Sequence, residues 1–504
     1  MKFTRRDFLK TLQLLPLVTA GRRLLASPPG GARKAARPNV LVIVFDTMSA
    51  LHLSLYGYAR RTTPNLERIA ARGIVYHRHY AGGNFTSPGT ASLLTGNLPF
   101  EHRCYHLNGQ ALEAFEQQNI FHAFAAAGYT NLAYTQNLLA NLLLHQFQRG
   151  IARLTDSAEL YLTHSLFYPN FPGDTGAAYR ADFSLFRNPN LPTVSPFASL
   201  LYRLWRFRSP AVPADYAQMF PRGLPTNPDA LYPTGHLFLL EDALNWLVEQ
   251  LAALPQPFLA YHHLLPPHDP YNTRRDFVDL FRDGWQPPRK PEHPFTWGFA
   301  QETLDDWRRA YDEYIAYVDA EFGRLYDTLA ASGTLDNTIL VFTSDHGQLF
   351  ERGIHGHVNA AMYEPLIRIP LLILPPGHAA RTDIHHPTSC TDILPTLLHL
   401  AGQPLPDWCP GSLLPPFGAA SPRLIFTLEA KENPKWGPLR KATASVIAYP
   451  YKLIHYRGYQ ALPDNYELYD LANDPEELAD LYPSAPPIAA ELKRALLARL
   501  DGVR

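Results

Sequence analysis

The 504-residue chain has few cysteines, almost no net charge and no long apolar run. Cys104, Cys390 and Cys409 lie far apart and show no C-x-x-C spacing, which argues against a zinc–thiolate site. One disulfide with an odd thiol left over fits three cysteines, but nothing in the sequence selects a pair. A formal net charge of -1 and a pI of about 7.1 give no field for nucleic acid or anionic lipid. No internal repeat is apparent. What is present is a core-forming composition, 46% apolar and 12% aromatic, in a chain long enough for one large α/β domain plus a smaller one. The 47 prolines argue for long loops and turns rather than long helices.

The N-terminus reads as an export leader. "TRRDFLK", Thr4 to Lys10, is a twin-arginine pattern followed by the mildly apolar run Thr11 to Ala20. That run is shorter than the ~20 residues a bilayer span needs. A small-x-small stretch precedes Gly21, and cleavage near Ala26 is the other option. The expectation is a twin-arginine signal peptide over 1–26, the twin-arginine export machinery as partner, and a periplasmic or extracellular destination. No cysteine follows the apolar run, so neither a lipoprotein anchor nor a stable transmembrane anchor is expected.

"NVLVIVFD", Asn39 to Asp46, is a continuous β-branched apolar run and reads as a parallel strand buried on both faces. "DNTILVFTSDHG", Asp336 to Gly347, reads the same way. Helices are expected at Thr63–Gly73, with Gly73 as C-cap, at Glu241–Leu254, and at Trp307–Gly333, with Gly333 as stop. Further strands are expected at Pro257–Leu264 and Arg368–Leu374, and a helix at Thr391–Gly402. This alternation argues for a doubly wound α/β core. From about Ser421 the pattern changes to short antiparallel strands and a closing helix, Pro486 to Leu500, giving a subdomain over 421–504. A catalytic domain over 38–420 then contains an aromatic, proline-rich insertion at about 154–233, which either packs on the core or faces an apolar substrate.

Two strands that end in acidic residues at one sheet edge create a hard-cation site. Asp46 and Asp345 offer carboxylates and His346 an imidazole, a set that takes Mn²⁺, Zn²⁺, Mg²⁺ or Ca²⁺ with little discrimination. In "GGNFTSPGTASLLTG", Gly82 to Gly96, Thr86 stands at the start of a helix. Its hydroxyl is either a simple N-cap or, beside a metal, an activated nucleophile and a metal ligand in its own right. "LLPPHDPYN" puts His268 on a proline-fixed loop just after a strand, where it can protonate a leaving oxygen or hold an anion. "GIHGHVN" offers His355 and His357 on a glycine-flexed loop, for a similar role or a second metal.

Taken in order, "NVLVIVFDTMSALHLSLYGY", the Thr86 segment, "YHHLLPPHDPY", "DNTILVFTSDHG", "MYEPLIRIPLLILPPG", "CTDILPTLLHLAG" and "YELYDLANDPEEL" resemble the sulfatase family of the alkaline phosphatase superfamily. The resemblance implies an alkaline-phosphatase-like sandwich, with a large mostly parallel sheet flanked by helices and a small C-terminal antiparallel sheet. It implies metal-dependent cleavage of phospho- or sulfo-esters. Asp46, Asp345 and His346 fall on the metal-ligand positions, Thr86 on the nucleophile, and His268 on an anion-binding or leaving-group histidine. His357 lies near the basic residue that follows the metal motif. Family members carry cysteine or serine where Thr86 stands, and oxidise it to formylglycine. The usual arginine is Thr90 and a second aspartate is Thr47. These departures resemble the superfamily's threonine-nucleophile branch, the phosphoglycerol and phosphoethanolamine transferases. The expected function is phosphate-ester cleavage through Thr86. The alternatives are sulfate-ester hydrolysis without formylglycine and a catalytically silent binding protein. A small-molecule, lipid or glycan ester is the expected substrate.

Overall fold

The computed structural model describes residues 37–107, 109–162, 214–226, 237–462 and 465–503. The leader at 1–26 and most of the expected insertion, residues 163–213 and 227–236, lie outside the described residues.

The apolar run Asn39–Phe45 is β1, and every residue from Val40 to Phe45 is fully buried. Its side chains alternate between two cores, as a strand's period of two requires. Leu41, Ile43 and Phe45 enter one core; Val40, Val42 and Val44 enter the other. β1 lies in an eight-stranded sheet. In chain order the remaining seven strands are β2 (Ile74–Tyr76), β3 (Thr130–Thr135), β4 (Arg153–Thr155), β5 (Phe258–Leu264), β6 (Thr338–Thr343), β7 (Leu371–Leu374) and β8 (Thr382–Ile384). The spatial order is β8-β2-β7-β6-β1-β5-β3-β4. β6, β1, β5, β3 and β4 are mutually parallel, whereas β7 runs antiparallel to both β6 and β2. The sheet is therefore mixed, with a parallel centre. Arg153–Thr155, expected to open the insertion, is instead the sheet's edge strand.

Helices cover both faces. α1 (Pro64–Ala70), α4 (Leu240–Ala253) and α5 (Gln301–Ala331) bury their apolar stripes in the first core. α2 (Thr86–Thr95), α3 (Leu138–Gln146) and α6 (Ile393–Leu400) lie between α1 and α4 or after α5 in the chain, and contribute Leu93, Leu143 and Leu397 to the second core. α5 begins six residues before its expected start because Leu304 is already buried, and it stops before Gly333, whose φ is 74°. Gly73 is not the α1 cap. A Cβ there would come within 2.6 Å of Leu372 Cδ1, so the residue is small to admit β7. Pro370 interrupts the expected Arg368–Leu374 strand and leaves Leu371–Leu374 in the main sheet.

The C-terminal segment forms an antiparallel sheet of β9 (Ile425–Glu429), β10 (Ala442–Ala448), β11 (Tyr451–Arg457) and β12 (Asn465–Asp470). The closing helix α7 (Pro487–Asp501) buries Leu492, Leu496 and Leu500 against it. The Leu428 amide donates to Gly82 O at 3.0 Å, tying this sheet to the loop that leads into α2. All three cysteines are free thiols, and burial pushes Cys104 and Cys390 up to about 12.

α2 crosses very close to the end of β6. A Cβ on Gly89 would sit 2.3 Å from Asp345 O, a backbone atom that has no rotamer to escape into. Gly89→Ala should therefore force α2 away from Asp345. The expected cost is about 1–3 kcal/mol in denaturant unfolding, with activity lost disproportionately because Thr86 moves with the helix.

Candidate active site

The register of the sheet assembles the site. Phe45 pairs with Leu264, and Val44 with Thr343, so the chain leaves β1, β5 and β6 at one edge. Asp46 follows β1, and its amide donates to Leu264 O at 2.9 Å. Asp345 and His346 follow β6. All three side chains are buried, and their ligand atoms lie within 4.8 Å of one another. Thr47, next to Asp46, has φ 59°, a costly conformation for a β-branched residue. The Tyr311 hydroxyl of α5 holds it by donating to Thr47 O at 2.6 Å.

Thr86 is the first residue of α2, and Phe85 is the N-cap. The hydroxyl is therefore not spent on capping. Thr86 Oγ1 lies 3.4 Å from His346 Nε2 and accepts from Asn137 Nδ2 at 3.2 Å. His346 Nδ1 donates to Gly347 O at 3.0 Å, which leaves the Nε2 lone pair facing Thr86 and Asp46. Thr90, one turn along α2, points its hydroxyl at Asp345 Oδ2 from 3.4 Å.

Two residues that sequence reasoning missed complete this centre. Asn137 accepts from the amides of Leu139 and Ala140 at the start of α3, and its Nδ2 donates to Asp46 Oδ2 as well as to Thr86. It follows β3 at the same sheet edge, so the strand-end signal that located Asp46 applies to it, once Thr130–Thr135 is recognised as a strand. His263 is the second. Its Nε2 lies 3.4 Å from Asp46 Oδ2 and 3.8 Å from Asp345 Oδ2, and Tyr261 meets its Nδ1 at 3.1 Å. It is hidden inside a strand, where a buried histidine carries no distinguishing pattern.

The residues fit a divalent cation. Two carboxylates are buried side by side, and their ion-pair partners among the described residues are histidines, not lysine or arginine. Burial, followed by the charge of Asp46, pushes Asp345 up to about 7. Burial would raise Asp46 too, but the His263 contact and the charges of His268 and His346 hold it below its ordinary value. Burial pushes His346 down to about 4, so it is a neutral ligand at neutral pH. Asp46 Oδ1 has no hydrogen-bond partner among the described residues. A buried orphan carboxylate oxygen asks for a cation.

A cavity of about 300 Å³ opens onto Thr86. Asn137, His268, Asp269, His355 and His357 line it too. Burial alone would lower His268, but Asp269, whose Oδ1 lies 3.1 Å from His268 Nδ1, raises it to about 9. His268 is thus an imidazolium whose Nδ1 is occupied and whose Nε2–H is available. The His357 ring lies against both His268 (4.7 Å) and His346 (4.5 Å). Burial, then those two neighbours, keeps it well below the ordinary histidine range. His357 Nδ1 donates to Gln348 Oε1 at 2.7 Å, Gln348 Nε2 donates to the Tyr271 oxygen at 2.6 Å, and the Tyr271 hydroxyl donates to His355 Nε2 at 2.8 Å. This chain fixes the His357 tautomer and leaves its Nε2 as an acceptor. His355 serves the chain rather than the reaction centre. His268, Asp269 and His357 also form a compact trio with ligand atoms within 4.8 Å. Because Asp269 already holds His268 as a cation, the trio suits an anion better than a second metal.

A mixed sheet whose carboxyl edge presents paired aspartates, a histidine and a helix-start hydroxyl defines a hydrolase of the alkaline-phosphatase-like class. The chain belongs to the sulfatase family: the family model described as Sulfatase matches residues 38–403. A second model, N-sulphoglucosamine sulphohydrolase, C-terminal, matches residues 353–504. The chain is 26% identical over 471 residues to a choline-sulfatase of Rhizobium meliloti, covering 88% of this chain and 82% of that protein. It is 27% identical over 414 residues to an N-acetylgalactosamine-6-sulfatase of Rattus norvegicus, covering 78% and 66% respectively. Among solved structures, the phosphonate monoester hydrolase of Agrobacterium radiobacter shares the fold with a TM-score of 0.66 at 20% identity, covering 92% of this chain and 95% of that one. A protein solved in complex with its substrate D-glucosamine-2-N,6-O-disulfate matches with a TM-score of 0.65 at 19% identity, covering 93% and 98%. The chain is therefore a sulfatase-like hydrolase of sulfo- or phospho-esters.

Proposed function

We propose that the protein cleaves phosphate esters by direct attack of Thr86, with Asp46, Asp345, His346 and Thr86 holding a divalent ion. The observation that carries this reading is the placement of Thr86 Oγ1, 3.4 Å from His346 Nε2 and 3.2 Å from Asn137 Nδ2, on the cavity that His268 also lines. A divalent ion at this position supplies the positive charge that lowers the hydroxyl pKa and neutralises the ester oxygens.

Asn137 orients the hydroxyl, and the start of α2 presents backbone N–H groups to the anion. Thr86 Oγ attacks phosphorus as the alkoxide, its proton having passed to solvent beforehand; the Oγ–P bond forms as the bond to the leaving oxygen breaks. His268 Nε2–H delivers its proton to that oxygen. The neutral His268 then takes a proton from water, whose oxygen attacks the phosphothreonine and releases Thr86 as the alkoxide, which restores the starting state. His357 Nε2 accepts from a protonated ester oxygen or from the incoming water.

Threonine supports phosphorus chemistry because it has no aldehyde hydrate through which to expel sulfate. The second reading, a sulfuric ester hydrolase, draws on the family model and on the sulfatases among the relatives. Turnover of aryl phosphate mono- and diesters against the matching aryl sulfate, with divalent ions added singly, separates the two. Faster sulfate cleavage reverses the order. The twin-arginine leader motivates export to the periplasm or beyond, tested by locating the protein in fractionated cells. No helix of the described residues is long and apolar enough to cross a membrane.

A pH dependence follows from His268. The imidazolium is needed in the first step and is lost as pH rises through about 9. The kcat profile should therefore fall on the alkaline side near that value. Asp269→Asn removes the charge that raises His268, so the alkaline limb should move toward the ordinary histidine value, about 6.5. An unmoved limb would show that another group controls it.

A further inference from the structure

We infer that the ester cleaved here carries a compact, apolar organic group without a second anionic group, such as an aryl ring, and that Trp297, with Leu138 and Leu139, selects it. The inference rests on the ester-cleaving reading above and concerns the part of the substrate that departs.

Beyond the reaction centre, the cavity wall is made by Phe85, Leu107, Leu138, Leu139, Trp297 and Val358. Trp297 is 52% exposed and Leu107 41%, so both present apolar surface on the cavity wall. The Trp297 amide donates to Gly353 O at 3.0 Å, and its ring meets Phe299 edge-on at 6.2 Å, so the indole is placed rather than free. Leu138 and Leu139 are held rigidly too, because Asn137 caps the first turn of α3 beneath them.

Much of the polar lining is already engaged, and His268 Nε2–H and His357 Nε2 serve the reacting group. Asn137 is shared among Asp46, Thr86 and the α3 amides. Asp269 holds His268, and His355 accepts from Tyr271. The wall of Leu107, Leu138, Leu139 and Trp297 offers no side-chain partner to the hydroxyls of a sugar, and a buried hydroxyl without a partner is penalised. The described lining residues include no lysine or arginine, so they offer no counter-charge to a second sulfate or phosphate on the same molecule. Size agrees as well. An apolar cavity of about 150 Å³ accepts a benzene ring, so a cavity of about 300 Å³ has room for one ring together with the reacting group. Lysines do occur nearby, Lys431 and Lys435, but they line a separate depression that meets this cavity only at Leu107.

The test compares phenyl, methyl and glucose-6- esters of the anion that the wild type turns over, with its divalent ion supplied. The phenyl ester should have the highest kcat/KM, by about tenfold or more over the methyl ester. Trp297→Ala should raise KM for the phenyl ester about tenfold with kcat nearly unchanged, and should leave the methyl ester unaffected. Trp297→Phe should restore most of the loss. A glucose ester preferred over the phenyl ester, or a Trp297→Ala effect equal on phenyl and methyl esters, would overturn the inference. If no ester is turned over, the catalytic reading fails by itself, and calorimetry still decides this one. Phenylphosphonate binding more tightly than methylphosphonate, with the difference lost in Trp297→Ala, supports the apolar subsite; equal affinities refute it.

Discussion

Thr86→Ala is expected to lower kcat by about 10³-fold or more while leaving the fold intact. The side chain is nearly fully buried yet does no capping work, since Phe85 is the N-cap of α2. Removing it costs only the bond from Asn137, about 1 kcal/mol. A large loss of turnover with a small loss of stability marks a group that acts on the substrate. Thr86→Ser keeps an oxygen at the same position and should retain activity within about tenfold. Rapid acid quenching of the wild type during turnover should leave a phosphoryl group on the peptide containing Thr86, and none in the alanine variant. Full activity of Thr86→Ala would remove the threonine from the chemistry and leave water as the attacking group.

Asp46→Asn should abolish the stabilisation that a divalent ion confers and reduce activity about a hundredfold or more. The ion-free protein should respond little. Asp345 is pushed up to about 7 by burial and by the charge of Asp46, so the two carboxylates oppose each other without a cation. Asparagine removes that repulsion but also removes the charge that His263, His268 and His346 stabilise, so the ion-free variant should melt close to the wild-type temperature. In the wild type, an ion at 100 times its Kd adds about 2.7 kcal/mol, visible as a rise in Tm that chelation reverses. The variant should show no such rise. A variant that still gains Tm on metal addition would move the cation away from Asp46, toward the trio of His268, Asp269 and His357.

The parts of this site that the sequence made legible share one physical cause. A fully buried strand reads as an unbroken apolar run, so its carboxyl end, and the polar residue delivered there, stands out. Asp46 and Asp345 stand out in this way, and His268 by its proline-bounded position after β5. Asn137 sits in an equivalent place, but β3 reads "TNLAYT", too polar to be recognised as a strand without its neighbours. His263 lies inside a strand, where only the pairing of β5 with β1 turns it toward Asp46. The Gln348–Tyr271 link between His357 and His355 joins residues 77 positions apart at its centre, a contact that no local pattern encodes. The C-terminal sheet was legible as strands. Its connection to the site through Leu428 and Gly82 was not, because it depends on how two separately folded stretches meet.

The three thiols have a consequence for where folding can be completed. Cys104 and Cys390 are buried and strongly disfavoured as thiolates, and neither is bonded to another sulfur. Thiolate is the reactive form, so these residues resist oxidation and exchange. The native state therefore gains nothing from an oxidising milieu and loses nothing in a reducing one. Its stability should be the same with and without a reductant, which makes the fold indifferent to the redox poise of its surroundings.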